Sequence, residues 1–398
     1  MKMISRIVLA VVALAAMASA QVPQAGHVFV VLEENHSYSK IIGNSAMPYL
    51  NGLANKYGLA VNYYANTHPS IGNYLMMTTG QIITNNDGYS GTISANNMVR
   101  AFLTAGVSWK SYAESLPSVG YTGGDKYPYV RHHNPFAYFT DVVNSSSEKN
   151  NLVPFTHFAQ DLANSTFPKF VYIVPNQHHN MHDCPTTTTG CTDSQKAAAA
   201  DNWLKTNIAP LLASAEFRND GLLIITWDEG NSTDTAHGGG HVATVVIGPK
   251  VKSGFKSTTF YQHQSLLRTV MSALGANTLS PAAATNAALM SDFFGTGSTT
   301  PPSPTGTCTL NSTMNTVTIC SPASGGTITT SMHLVAGTTS STTVNYMAAW
   351  IDGVKKYTTY SNKMDTTLML ASGTHRVTVQ AKNTAGTLFA KTIYVTAQ

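Results

Sequence analysis

Four unbroken apolar, β-branched runs constrain this chain more than any other feature: HVFVVL (27–32), FVYIV (170–174), LLIIT (222–226) and VATVVI (242–247). A strand with one wet face alternates polar and apolar residues, so a continuous run belongs to a strand buried on both faces, as in a parallel sheet covered by helices. The cover is supplied by helix-like stretches over 47–57, 97–104, 156–163 and 194–213, and 264–274 reads as an amphipathic helix that closes the unit. The pattern predicts an α/β fold, a mostly parallel sheet flanked by helices.

A length of 398 residues suggests more than one domain. Residues 297–306, GSTTPPSPTG, have the Ser/Thr/Pro bias of an extended linker. From Thr307 to Gln398 short alternating segments separated by Gly, Asp, Asn and Ser turns suit an Ig-like β-sandwich. At the other end, Lys2 and Arg6, an apolar run over 7–17 and Ala18-Ser19-Ala20 have the order of a signal peptide, which predicts residues 1–20 as leader, a catalytic domain over 21–296, and a secreted or periplasmic product. No other stretch approaches the roughly 20 apolar residues of a membrane span. The net charge of +4 falls by two when the leader's Lys2 and Arg6 are removed, which leaves no footprint for nucleic acid. The four cysteines form two close pairs, Cys184 with Cys191 and Cys308 with Cys320, which in an oxidising compartment predict two small disulfide loops; a zinc site beside His182 and Asp183 is the alternative.

Three predicted strands end in polar clusters: Glu33-Glu34-Asn35-His36, Asn176 to Asp183, and Asp228-Glu229. Ligands of open α/β sheets bind beyond the carboxyl ends of the strands, so these clusters are expected to converge. Ser70, in THPSIGNY, begins a helix-like stretch, where exposed amides and the positive dipole end favour an attacking alkoxide and a bound phosphate. Two readings of Ser70 stand side by side, N-cap or nucleophile, with Asn73 one turn later directing its amide at the same anion; Thr67 is the fallback nucleophile. Histidines cluster beside carboxylates at His132-His133, at His178, His179 and His182, and at His237 and His241, the last two flanking three glycines that would let backbone approach a ligand.

The segments HVFVVLEENHSYSKIIGN, THPSIGNY, RHHNPF, VPNQHHNMHDC, ITWDEG and GGGHVATVVIGP together resemble the bacterial phosphoesterase family of secreted acid phosphatases and phospholipase C enzymes, within the alkaline phosphatase superfamily. The resemblance runs from about Gly26 to Gly254 and implies one divalent metal ion. It implies Glu34, Asn35, Ser70, Asp228 and Glu229 as metal ligands, with Ser70 also the nucleophile. It further implies catalytic roles for Asn73, His182 and His241, and substrate contacts from Asn35, Asn73, His133, His178, His179 and Asp183. Three departures stand out: Gly72 where the family commonly has proline, Glu229 where two-zinc members have histidine, and Asn176 where those members have aspartate. Fewer strong ligands favour one metal over two.

The implied substrate is a small phosphomonoester, with a phospholipid headgroup as the phospholipase C-type alternative. A metal-independent serine esterase using Ser70, Asp228 and His241 is a competing reading. It lacks the first glycine of a nucleophile elbow, and its Asp and His stand close together for that fold. A non-catalytic surface protein, suggested by the Ig-like module alone, would have no use for six polar motifs.

Overall fold

The four predicted strands join four others in one eight-stranded sheet, made of β1 (His27–Glu33), β2 (Gly58–Ala60), β4 (Trp109–Ala113), β5 (Leu152–Pro154), β6 (Phe170–Val174), β7 (Gly221–Trp227), β8 (Thr244–Ile247) and β9 (Phe255–Ser257). The order across the sheet is β5-β4-β6-β1-β7-β8-β2-β9, and all pairings are parallel except the two made by β8. This computed structural model describes residues 21–185, 190–276, 287–294, 310–328, 330–359 and 362–398. The expected leader, the linker and Cys308 lie outside the described residues.

Apart from the half-buried His27 at the start of β1, the four apolar runs are buried in β1, β6, β7 and β8, as strands covered on both faces require. Antiparallel β8 places its N-terminal side, and with it His241, at the same edge as the carboxyl ends of β1, β6 and β7. Helices Pro48–Lys56, Met98–Ala105, Thr156–Asn164, Asp193–Ala213 and His263–Ala273 fall where the periodicity put them. Local chemistry fixes their starts: Asn97 accepts from the Arg100 amide, and Thr192 with Gln195 forms a capping box. A short parallel pair, β3 (Tyr63–Tyr64) with β10 (Tyr261–Gln262), ties the start of the last of these helices to the turn before Ser70.

The chain divides into two compact units, Met1–Gly297 and Ser298–Gln398. In the second, β11 (Thr316–Ser321), β13 (Ser331–Thr339) and β16 (Lys363–Met369) form one sheet. The other contains β12 (Thr327–Ile328), β14 (Val344–Ile351), β15 (Val354–Thr359), β17 (Gly373–Asn383) and β18 (Leu388–Ala397). Val377, Val379 and Ala381 alternate inward along β17 to meet Leu334, Met347 and Ile393 in a core, the period-2 burial of a β-sandwich. The Asp352-Gly353 turn joins β14 to β15 with positive φ at both residues (52° and 86°), the geometry a two-residue hairpin prefers. Cys184 and Cys191 form a disulfide, which removes the zinc alternative there; Cys320 is also disulfide-bonded.

Candidate active site

Glu34 leaves the end of β1 fully buried. Tyr74 donates a short hydrogen bond to its Oε1, and the Asn35 amide donates to Oε2 at 2.6 Å. Ser70 is the first residue of helix Ser70–Thr79 and donates from Oγ to Glu34 Oε2 at 3.3 Å. The N-cap position belongs to Pro69, so Ser70 is not the cap. Asp87 takes that duty in part, accepting from the Ile71 amide at 2.9 Å.

Asp228 follows β7 and is also fully buried. Its Oδ1 accepts from the Asn35 backbone amide at 3.1 Å, while Oδ2 has no partner. The Asp228 and Glu34 carboxyls lie within hydrogen-bonding reach of each other. Burial pushes both well above the usual carboxylate range; repulsion from Asp228 adds to this for Glu34, and repulsion from Glu229 for Asp228. His263 holds the Asp228 carbonyl through Nε2 at 2.6 Å, and burial lowers its pKa to about 4, so the imidazole is neutral.

Glu229 has different company. His68 Nδ1 lies 3.1 Å from its Oε1, and His68 Nε2 donates to the Asp234 carbonyl at 2.9 Å. The bond to Glu229 raises His68 to about 9. A raised folded pKa means the pair's contribution is complete below the unfolded value of about 6.5 and is lost as pH rises through about 9. In thermal melts between pH 6 and 10, His68→Gln is therefore expected to trail the wild type most at the acid end, the gap closing by pH 10; a gap of constant size would contradict the pairing.

Asn73 is committed to the turn before the helix. Its Oδ1 accepts from the amides of Asn66 (2.9 Å) and Thr67 (3.2 Å), and Nδ2 donates to Thr67 O at 2.8 Å and to Glu229 Oε2 at 3.4 Å. Both ends of the amide are used, so here it pins the turn that delivers Ser70 instead of pointing freely at an anion. Gly72 makes room for the loop after this helix: a Cβ there would stand 2.1 Å from Asn85 Oδ1.

The histidines divide. His133 is buried, stacked on Tyr74 at 5.1 Å, with Nε2 3.1 Å from Glu34 Oε1. Burial, with His132 and His182 nearby, holds it neutral, so this contact is not an ion pair. His182 stands at the rim, its ring 6.4 Å from that of His133 and its Nδ1 bonded to Asp183 at 2.8 Å. The others are not brought onto the carboxylate pair. His178 bonds the Cys184 carbonyl, His179 bonds Glu114, and the second oxygen of Asp183 accepts from Tyr127. His241 lies between the rings of Tyr38 and Tyr64 with Nε2 on the Val61 carbonyl. The glycine triplet serves packing, since a Cβ on Gly238 would meet Asn66 O at 2.0 Å.

Sequence reasoning missed Tyr74, His68, Asp87, His263 and Tyr172, whose buried hydroxyl has no partner and whose pKa is raised by burial and then by Glu34 and Asp228. Tyr74 alone carried a signal, standing four residues after Ser70 and so on the same helix face.

Among the described residues no three His, Cys, Asp or Glu side chains gather as a metal-ligand set. The acidic donors that meet are two, Glu34 and Asp228, and the Ser70 hydroxyl and Asn35 amide complete a set of hard oxygen donors. Two buried carboxyls in contact need a shared proton or a cation between them, and the unpartnered Asp228 Oδ2 is a free donor. The set suits one hard divalent cation, with Glu229 held apart by His68.

A hydroxyl set at a helix start against buried carboxyls, beyond the carboxyl ends of a parallel sheet, is the arrangement of a phosphoric ester hydrolase. The profile of the "Phosphoesterase family" matches residues 44–275, and the chain belongs to that family. It is 30% identical over 281 residues to "Phosphatidylinositol-3-phosphatase" of Mycobacterium tuberculosis, covering 70% of this chain and 86% of that protein. It is 31% identical over 254 residues to "Probable acid phosphatase" of Kluyveromyces lactis, covering 61% of this chain and 56% of that one. The chain thus spans little more than half the length of the latter. Among solved structures, "a Protein in the Alkaline Phosphatase Superfamily from Vibrio parahaemolyticus" aligns at 14% identity and a TM-score of 0.45, covering 63% of this chain and 67% of that one.

Proposed function

We propose that this chain is an exported acid phosphatase that hydrolyses phosphomonoesters through a phosphoserine on Ser70. The observation that carries the reading is the buried Ser70 Oγ at a helix start, 3.3 Å from Glu34 and beside Asp228. The helix start offers positive potential to a phosphate. Asn73 fixes the turn and Tyr74 fixes Glu34, so the hydroxyl is held in one place before substrate arrives. Glu34, Asn35, Ser70 and Asp228 would hold a divalent cation, which when bound supplies Lewis acidity toward phosphoryl oxygens and lowers the pKa of the hydroxyl. As Ser70 Oγ forms its bond to phosphorus, its proton passes to Glu34, which it already faces, the bond to the substrate's alcohol breaks, and His182 at the rim hands a proton to the leaving alkoxide. Water then attacks the phosphoserine, giving one proton back to His182; the phosphoryl group leaves as inorganic phosphate, and Glu34 returns its proton to Ser70.

Both relatives above carry names of phosphatases, which supports monoester hydrolysis over a phospholipase C-type diesterase. The test compares p-nitrophenyl phosphate, bis-p-nitrophenyl phosphate and phosphatidylcholine, each with and without chelator. Chelator-sensitive turnover of the monoester is expected to lead. Dominant turnover of the diester or the phospholipid would replace the reading with the diesterase, and full activity in a metal-free sample would favour the serine esterase.

A further inference from the structure

Five aromatic rings line up beside the nucleophile's turn, and none takes part in the chemistry described above. Tyr38 stacks on His241 at 4.4 Å and 3°, and His241 on Tyr64 at 4.8 Å. Tyr64, His237 and Phe260 then form a mutually touching group, with centroids 4.3 Å (Tyr64 to His237), 4.8 Å (His237 to Phe260) and 5.7 Å (Tyr64 to Phe260) apart. Phe260 is 42% exposed and His237 is exposed beside it. A single exposed phenylalanine is unremarkable. One continuous with four other rings is a surface that the fold has left wet.

The group is held in place. His237 sits at φ 54°, uncommon for a residue with a side chain, and its carbonyl accepts from Gln262 Nε2 at 3.1 Å. The same Gln262 amide donates to the Ala65 carbonyl at 3.2 Å, so the exposed rings and the turn before Ser70 share one clamp. The rings also stand against the turn that delivers Ser70: Tyr64 pairs with His241, Gly238 beside His237 packs on the Asn66 carbonyl, and the Asn66 amide donates to Asn73 on the Ser70 helix.

We propose that Tyr64, His237 and Phe260 are a subsite that stacks a flat conjugated ring on the substrate's leaving group. The proposal rests on reading Ser70 as the nucleophile of a phosphomonoesterase. Three rings preset at contact distance offer a ligand ring both offset-stacked and edge-on partners without ordering cost.

The test measures kcat/KM for phenyl phosphate and for glycerol 2-phosphate in the wild type, Phe260→Ala, Tyr64→Ala and Phe260→Trp. The ratio of the two values, referred to the wild type, cancels the better leaving ability of phenoxide. It is expected to fall about fivefold in each alanine variant, within what aromatic pairs contribute, and to recover in Phe260→Trp. A ratio unchanged in Phe260→Ala, whose exposure spares the fold, overturns the subsite, as does an equal loss on both substrates. Calorimetric binding of phenylphosphonate and methylphosphonate separates the two readings. A wild type that turns over neither phosphate overturns the phosphatase, whereas phenylphosphonate binding no tighter than methylphosphonate overturns the subsite.

Discussion

Ser70→Ala is expected to lower kcat on p-nitrophenyl phosphate by at least about a thousandfold while leaving the melting temperature close to that of the wild type. The fold loses little. The Ser70 bond to Glu34 is long at 3.3 Å, Glu34 Oε2 keeps the 2.6 Å bond from Asn35, and Asp228, which Ser70 also meets, keeps the Asn35 backbone amide. Alanine is also a good residue in a first helical turn. The chemistry loses the hydroxyl set at the helix start against Glu34 and Asp228. Thr67, the fallback in the sequence, donates to the His68 carbonyl at 3.1 Å and accepts from Asn85 at 2.9 Å, which ties its oxygen to the turn. Residual kcat within about tenfold of wild type, with the fold confirmed by circular dichroism, would take the nucleophile's role from Ser70.

What the sequence made legible were features that repeat along the chain or stand next to one another in it. An unbroken apolar run announces a doubly covered strand, and the polar residues after it announce the sheet edge, so Glu34 and Asp228 could be placed together though 194 positions apart. The direction of β8 was not legible, because VATVVI buried on both faces reads the same parallel or antiparallel. Nor were partners chosen by three-dimensional packing. Nothing in THPS says that His68 will pair with Glu229, and nothing in the polar loop after the Ser70 helix says that Asp87 will meet the Ile71 amide. His241 shows the converse: it stands at the correct edge, yet the rings of Tyr38 and Tyr64 engage it before the carboxylates can.

The sharpest test of the cation set is Asp228→Asn, because cation affinity and stability should move in opposite directions. Asp228 is fully buried, one of its oxygens has no partner among the described side chains, and burial with repulsion from Glu229 works against its charge. An asparagine keeps an oxygen for the Asn35 amide and removes one of the like charges. Metal-free Asp228→Asn should therefore melt no lower than wild type, and higher by the equivalent of about 1 kcal/mol where relief of buried charge dominates. The same change removes an anionic ligand, so the affinity for Mg²⁺, Mn²⁺ or Zn²⁺ by calorimetric titration should fall by more than about a hundredfold, beyond the loss typical of an outer partner, and turnover with it. Glu229→Gln supplies the contrast: with His68 and Asn73 for neighbours, Glu229 should change cation affinity by less than about threefold, well under the loss typical of even an outer partner, while forfeiting the stability that His68 provides below pH 9. Equal losses of cation affinity in the two variants would return Glu229 to the ligand set, and unchanged affinity in Asp228→Asn would remove Asp228 from it.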